Sequence, residues 1–392
     1  MLYAGPAESV ETSSDEPWLT PSLNIRTRYE FADVNGSEVS HAFTFRERVG
    51  LKTSAWNGFS AFIEGEFSQA VGDDYFGGAP LANPAELNNS VIGDPETNEL
   101  NQLILQYAYE DTTAKLGRQR IIYNNAAFVG NVGWRNNEQT YDAISLSNKS
   151  IEGLSLDLAY VKQVNRIFGS DAGGPLENLP GSIFLLNGSY KATEDLTLGA
   201  YVFHMSFDDL AAGNNLDNDT YGVSAKTSAL GLDLYGEIAY QEDAGAAAMS
   251  DSWYSHATVG KKFGKQSLTL GHEFLGAGFK TPLATGHAFN GFADAFLGGR
   301  TVGTHNGLSD LYLSHSMPIF WGMKWVNTLH AMGDNEISTG YGWEYDSVLV
   351  KKFSDDLTGI IKFAHFESEG DLIAAGPAAT ATRFSFELNY TF

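Results

Sequence analysis

The chain has 392 residues, of which 43% are hydrophobic, and a formal net charge of −24 at pH 7. This acidity argues strongly against nucleic acid as a partner and against docking through a basic face onto anionic lipid. Cysteine is absent, which excludes disulfides and cysteine-ligated metal. No segment approaches the ~20 apolar residues of a membrane-spanning helix. Aromatic residues at 13% and 42 glycines favour many short strands joined by turns.

From about residue 22 onward, apolar and polar residues alternate with a period of two in segments of roughly ten residues. In chain order these predicted strands are 22–31, 42–54, 59–69, 99–110, 114–121, 139–148, 153–164, 182–191, 195–207, 219–228, 231–242, 252–263, 266–275, 307–316, 323–332, 341–353, 357–367 and 380–392. The pattern is weak in two of them, because 114–121 is short and Glu47 falls on the apolar face of the second.

The connections between these segments alternate between tight turns and long polar loops, the connectivity of a bacterial outer-membrane barrel. We therefore predict an all-β fold, a transmembrane antiparallel up-and-down barrel of about 18 strands over residues 22–392. Residues 1–21 are predicted to form a periplasmic tail. Soluble sandwiches and propellers also have alternating strands, but nothing in them requires short and long connections to alternate.

A barrel of this width leaves an aqueous lumen, and the polar faces of the segments would line it. The candidate pore-lining residues are Arg26, Arg28, Arg46, Arg48, Glu64, Glu66, Asp233, Glu237, Glu344, Asp346 and Arg383. The basic strands come early in the chain and the acidic ones mostly later. Two arrangements remain open: a transverse field between opposite walls, or ion pairs between neighbouring strands.

The long connection 276–306 is a candidate constriction. It contains His287, Phe289, Phe292 and Asp294, and its aromatic residues make it too apolar to lie solvated outside the barrel. We predict that it folds inward and narrows the channel. The alternative is packing on the barrel rim or on a neighbouring protomer.

The last strand ends in Tyr390-Thr391-Phe392, and an aromatic terminal residue closing an alternating strand is typical of the signal read by outer-membrane assembly machinery. The predicted partners are accordingly this machinery, membrane lipid and lipopolysaccharide. We predict no cofactor and no metal: the acidic pairs Asp73-Asp74 and Asp208-Asp209 lack the ordered spacing of a calcium loop.

Three stretches, in order along the chain, resemble the alginate-export family of outer-membrane barrels. They are 116–121 with 128–143, 281–297 leading to 307–312, and 341–346. The resemblance implies a monomeric barrel of 18 strands and adds Arg118, Arg120 and Arg135 to the candidate pore-lining residues. Its namesake exports an anionic polysaccharide through a lumen lined by arginines.

The sequence thus predicts an outer-membrane porin that passes hydrophilic solutes, such as sugars and small or oligomeric anionic saccharides, by passive diffusion. Many acidic residues share the predicted lumen and would oppose a polyuronate, so export of an anionic exopolysaccharide is the alternative. An enzyme would need a nucleophile and a base converging on one wall, and adjacent pairs such as Ser255-His256 point to opposite faces of a strand.

Overall fold

The computed structural model describes residues 17–72, 74–78, 86–208, 216–242, 251–302, 306–335, 340–369 and 379–392. Eighteen strands form one sheet. They are β1 Leu19–Val34, β2 Ser40–Thr53, β3 Phe59–Ala70, β4 Thr97–Tyr109, β5 Thr112–Gln119, β6 Thr140–Asn148, β7 Leu154–Asn165, β8 Asn178–Lys191, β9 Leu196–Phe207, β10 Asn218–Ala229, β11 Leu232–Glu242, β12 Ser252–Phe263, β13 Gln266–Leu275, β14 Leu308–Pro318, β15 Lys324–Gly333, β16 Gly340–Lys352, β17 Leu357–Ser368 and β18 Thr380–Thr391.

Each strand pairs antiparallel with its neighbours in sequence, and β1 also pairs with β18, so the sheet closes into a barrel. The all-β barrel and its strand number, both predicted from the sequence, are confirmed. Strand ends differ from the predicted ones by a few residues. The largest extension is at β8, which begins at Asn178 and not at residue 182.

Alternate side chains point to the two faces of the wall, as a β-strand requires. On the outer face, large apolar side chains are exposed in every part of the barrel: Leu103 is 49% exposed, Leu116 53% and Val223 60%. A soluble protein does not expose such a continuous apolar surface. The outer face is therefore the lipid-contacting surface of a membrane-spanning barrel.

Turns at one end of the barrel are short. Asn57 and Gly58 both have positive φ, 49° and 85°, the combination that a two-residue hairpin turn needs. Connections at the other end are long and include two short helices, α1 (Gly174–Glu177) and α2 (Leu297–Val302). Within the described residues, no helix is long and apolar enough to span a membrane.

The inner face is divided into walls of different character. Strands β6–β9 turn apolar side chains into the lumen, among them Val161, Leu185 and Phe203, each at most 1% exposed. These side chains pack against Phe128, Phe279 and Leu283 of two long loops. This side of the lumen is thus filled by a hydrophobic cluster, which the sequence did not predict. Strands β16, β18 and β1–β4 form the opposite, polar wall.

Candidate functional site

Two loops fold into the barrel and join each other there. Residues 120–139 and 276–302, together called the plug, meet in a bridge between Val129 and Leu283. The backbone N–H of Gly130 donates to the carbonyl of Leu283 at 2.9 Å. The rings of Trp134 and His287, one from each loop, stack with centroids 4.1 Å apart. The plug therefore behaves as one structural unit.

The second loop is held to the barrel by carboxylates. The backbone N–H of Ala293 donates to Glu344 at 2.6 Å and that of Phe292 to Asp346 at 3.2 Å. Gly291, which precedes Phe292, has a φ of +87°, and a Cβ there would lie 2.2 Å from the Glu344 carboxyl carbon. Only glycine allows this close approach. Two predicted pore-lining acids thus anchor the loop predicted to be the constriction.

Arginines of the polar wall hold the first loop. Arg26 donates to the carbonyls of Gly133, Trp134 and Arg135 at 3.1, 3.0 and 2.9 Å. Arg28 pairs with Glu387 at 2.6 Å. These contacts fix the backbone around Trp134 against β1.

Ion pairs between neighbours are present along this wall. Arg28 also pairs with Asp94 at 2.9 Å, and Arg48 pairs with Glu66 of the adjacent strand. Arg120 lies between Glu64, at 2.7 Å, and Glu138. The geometry of Arg28 and Arg48 therefore favours neighbour pairing over a transverse field.

Arg26 and Arg46 are direct cross-strand partners on β1 and β2, and Arg26 also lies 4.0 Å from the Glu387 carboxylate. Like charges in that position repel each other. Arg46 hydrogen-bonds to Asn24, and its Nε has no hydrogen-bond partner among the described residues. Two like charges are therefore direct neighbours at this point of the polar wall.

Arg135 is the hub of the plug. Its guanidinium contacts Glu30 of β1 at 2.9 Å, Asp294 of the other loop at 3.2 Å and Asp94 at 3.7 Å. Arg383 reaches the same Glu30 at 3.3 Å and donates to the carbonyl of Ala293 at 3.0 Å. One guanidinium thus links the barrel wall to both halves of the plug.

The gap between the plug and strands β17 and β18 is a cavity of about 10 Å³. Its lining includes Trp134, His287, Phe292, Lys362 and Arg383. A cavity of this size holds about one water molecule. In this conformation the gap is too narrow for a solute.

The pair of His287 and Asp294 lies beside this cavity, with Nδ1 and Oδ1 2.6 Å apart. Burial lowers the pKa of the His287 imidazole below its usual 6.5, although Asp294 opposes the change. Burial would raise the pKa of the Asp294 carboxyl, but His287, Arg383 and Arg135 outweigh it and hold the pKa well below 3.8. The neutral histidine therefore donates to a carboxylate.

Phe289 and the remaining predicted residues lie away from this cavity. The guanidinium of Arg300 lies 4.4 Å from the Phe289 ring centroid. Glu237 accepts hydrogen bonds from Tyr201 and Tyr235, at 2.8 and 2.7 Å. Asp233 pairs with Lys262 near the short-turn end, far from the plug. At the end of β18, Tyr390 is 37% and Phe392 71% exposed.

Arg118 does not line the lumen, and its assignment as a pore-lining residue is wrong. Its cross-strand partners are Leu103 on β4 and Asp142 on β6, and Leu103 faces lipid. Strand alternation puts Arg118 on the same outer face as Leu116. The motif resemblance carried no information about the direction in which the side chain points.

Several residues of the site were missed by sequence reasoning, including Glu30, Asp94, Trp134, Glu138 and Lys362. The Lys362 ammonium lies over the Trp134 ring. Glu30 could have been found from its alternation with Arg26 and Arg28. Asp94, Trp134 and Glu138 lie in loops, where no period reports direction.

Asp73 and Asp209, each from one of the two acidic pairs, lie outside the described residues. Among the described residues, no group of histidine and acidic side chains has the geometry of a metal site.

Solved structures show where this architecture recurs. The chain superposes on Pseudomonas aeruginosa OpdO with a TM-score of 0.71, at 13% identity over 95% of this chain and 97% of that one. Acinetobacter baumannii OccAB2 gives 0.71 at 15% identity, over 95% and 98%. The outer membrane protein OpdK of Pseudomonas aeruginosa gives 0.71 at 10%, again over 95% and 98%.

The chain shares the fold of OpdO, OccAB2 and OpdK. No protein-family model matches it, and no curated protein sequence matches it.

Proposed function

We propose that the chain is an outer-membrane channel for small hydrophilic solutes, with a preference for anionic ones such as uronates. The observation that carries this is the set of arginines on β1 and β2, in which Arg26 and Arg46 are direct cross-strand partners and Arg26 donates to carbonyls of the plug. A wide barrel of this kind encloses water, in which fixed positive charge raises the local anion concentration. The fold shared with OpdK, described as an outer membrane protein, supports the location.

The plug makes this a gated channel in our proposal. The gap beside Trp134 holds about one water molecule, so a solute enters this gap when the plug moves from the wall. Loop displacements of this kind occur on microsecond to millisecond timescales.

Export of a long anionic polysaccharide is the less favoured function. The resemblance to the alginate-export family suggests it, but the plug is bonded to the barrel on two sides, through Arg135 and Glu344. A continuous polymer would need both anchors broken throughout its passage. A small solute needs only a brief opening.

Liposome swelling tests the proposed function. Vesicles containing the protein are expected to swell faster in galacturonate than in galactose, and not in polyuronate. Changing Arg26, Arg28, Arg46 and Arg48 together to Gln should abolish the preference, because the fixed positive charge is removed. Lys261→Gln, at the short-turn rim, is the control and should keep the preference. Absence of swelling in every solute would contradict the channel itself.

Acidic pH is expected to open the plug. The pKa of His287 is lowered in the closed state, so its neutral form is favoured there. His287 therefore stabilises closure fully above pH 6.5, and this stabilisation is lost as the pH falls below 6.5. Protonation would add a charge beside Lys362, Arg135 and Arg383 and leave Nε2–H without an acceptor, since Nε2 has none among the described residues.

Single-channel recording between pH 7.5 and 5.5 checks this, with a rising open probability as the expected result. His287→Gln, which keeps a donor toward Asp294 but does not titrate, should be insensitive to pH over that range. A wild-type response preserved in this variant would assign the pH dependence to another group.

A further inference from the structure

Glu47 is a carboxylate on the lipid-facing side of the barrel. Its neighbours Arg46 and Arg48 point into the lumen, whereas Glu47 is exposed on the outside, with Ile25 and Phe67 as its cross-strand partners. Within the described part of the chain it makes no hydrogen bond or ion pair. A lipid-facing ionisable side chain is costly unless something pairs with it, so its presence points to a contact outside this chain.

The depth of Glu47 in the membrane follows from its place on β2. It lies six residues from Thr53, the short-turn end of the strand. At a rise of ~3.3 Å per residue and a tilt of ~40°, this is about 15 Å above that rim. The apolar band of such barrels is ~25 Å tall, so Glu47 lies well within it.

Arg118 lies at the same depth on the same outer surface. It is six residues from Thr112, the short-turn end of β5. Its Nε and Nη2 donate to Asp142 at 2.8 and 3.1 Å, and Nη1 donates to the carbonyl of Leu100 at 3.1 Å. A guanidinium has five N–H groups, so two remain, on a side chain that is 24% exposed.

The wall between these two charges is apolar. Strands β3 and β4 separate β2 from β5, a width of about 14 Å at ~4.8 Å per strand. Their outward side chains include Ile63, Phe67, Leu100, Leu103 and Leu105, from 39% to 50% exposed. An apolar surface has Glu47 at one edge and, at the other, Arg118, which is paired with Asp142 but keeps two N–H groups, so a carboxylate of a second copy can accept from them.

We propose that two copies of this chain associate through the wall from β2 to β5, with the two-fold axis along the membrane normal. Such an axis keeps depth unchanged and brings Glu47 of each copy to Arg118 of the other, as an isologous interface requires. Lipid chains alone would leave the carboxylate unpaired. This dimer differs from the monomer implied by the family resemblance, and it does not depend on the proposed function.

Cysteine cross-linking tests the interface without touching either charge. The chain contains no cysteine, so introduced thiols react alone. Val49 and Leu116 lie two residues from Glu47 and Arg118 on the same face, and are 50% and 53% exposed. Copies carrying Val49→Cys are mixed in lipid with copies carrying Leu116→Cys and treated with a short bismaleimide. A cross-linked dimer is the expected product.

Two comparisons decide the outcome. Val223→Cys, 60% exposed on the distant strand β10, replaces Val49→Cys as the control and should yield at least tenfold less dimer with Leu116→Cys. Adding Glu47→Gln to the Val49→Cys copies should reduce their cross-linking severalfold, while resistance of the barrel to SDS reports that folding is intact. Equal yields from Val49 and Val223, or none from Val49, would overturn the proposal.

Discussion

Excision of most of the second plug loop is expected to raise single-channel conductance severalfold. The backbone N–H of Thr281 donates to the carbonyl of Arg300 at 3.0 Å, so these two residues already lie side by side. Residues 283–299 can therefore be replaced by two glycines with little disturbance of the barrel ends. The excised segment includes His287 and Phe292, which line the narrow gap, so the lumen widens toward that of an 18-stranded barrel.

Planar-bilayer recording measures this effect. The matched control is removal of Asp171–Gly174, a turn on the same side of the barrel, with conductance expected to stay as in the wild type. Conductance unchanged by the excision would mean that the segment does not limit the current. The variant also removes the partners of Glu344 and Asp346, but these carboxylates then face water and carry no burial penalty.

Arg135→Gln is expected to increase the open probability about a hundredfold. The guanidinium is shared by Glu30, Asp94 and Asp294, and Asp94 has an exposure of 0%. Removing one partner of a buried ion pair costs about 3–5 kcal/mol, and the lower value applies because Arg28 and Arg383 still face Asp94 and Glu30. At ~1.4 kcal/mol per factor of ten, this lower value changes the equilibrium constant between the closed and open states by about two orders of magnitude.

Single-channel recording measures the open probability of Arg135→Gln, and trypsin cleavage at Arg300 reports how often the plug leaves the wall. Lys162→Gln is the control, because Lys162 and Asp208 form a pair with side chains 62% and 52% exposed, which contributes little. Asp294→Asn added to Arg135→Gln should restore part of the closure by removing one of the buried carboxylates that had faced Arg135. An open probability equal to that of the wild type would show that Arg135 is not an anchor.

Local sequence was most informative where one face of a strand is polar and the other apolar. In β18, Arg383 and Glu387 alternate with Phe384 and Phe386, and both the strand and its orientation follow from that contrast. In β7–β9 the contrast is missing: Val161 and Leu185 point inward, and Leu158 and Leu186 outward. The sequence placed these strands but could not show that the lumen beside them is filled.

For Arg118 the alternation was correct and the family resemblance was misleading. Its spacing from Leu116 puts it on the lipid side, and only the resemblance of the motif placed it in the pore. Glu47, which broke the pattern of its strand, lies where the period put it. In both positions the alternation was the better guide.

By itself, the sequence determined the closed barrel, its strand number and most inward-facing positions, because side-chain alternation along a strand is a local property. The plug was decided only by the tertiary structure. Gly130 and Leu283 are bonded across more than 150 residues of chain, and Arg26 reaches loop carbonyls more than 100 residues away. Loops have no period that reports direction, so their course depends on which buried charges and carbonyls the walls must satisfy.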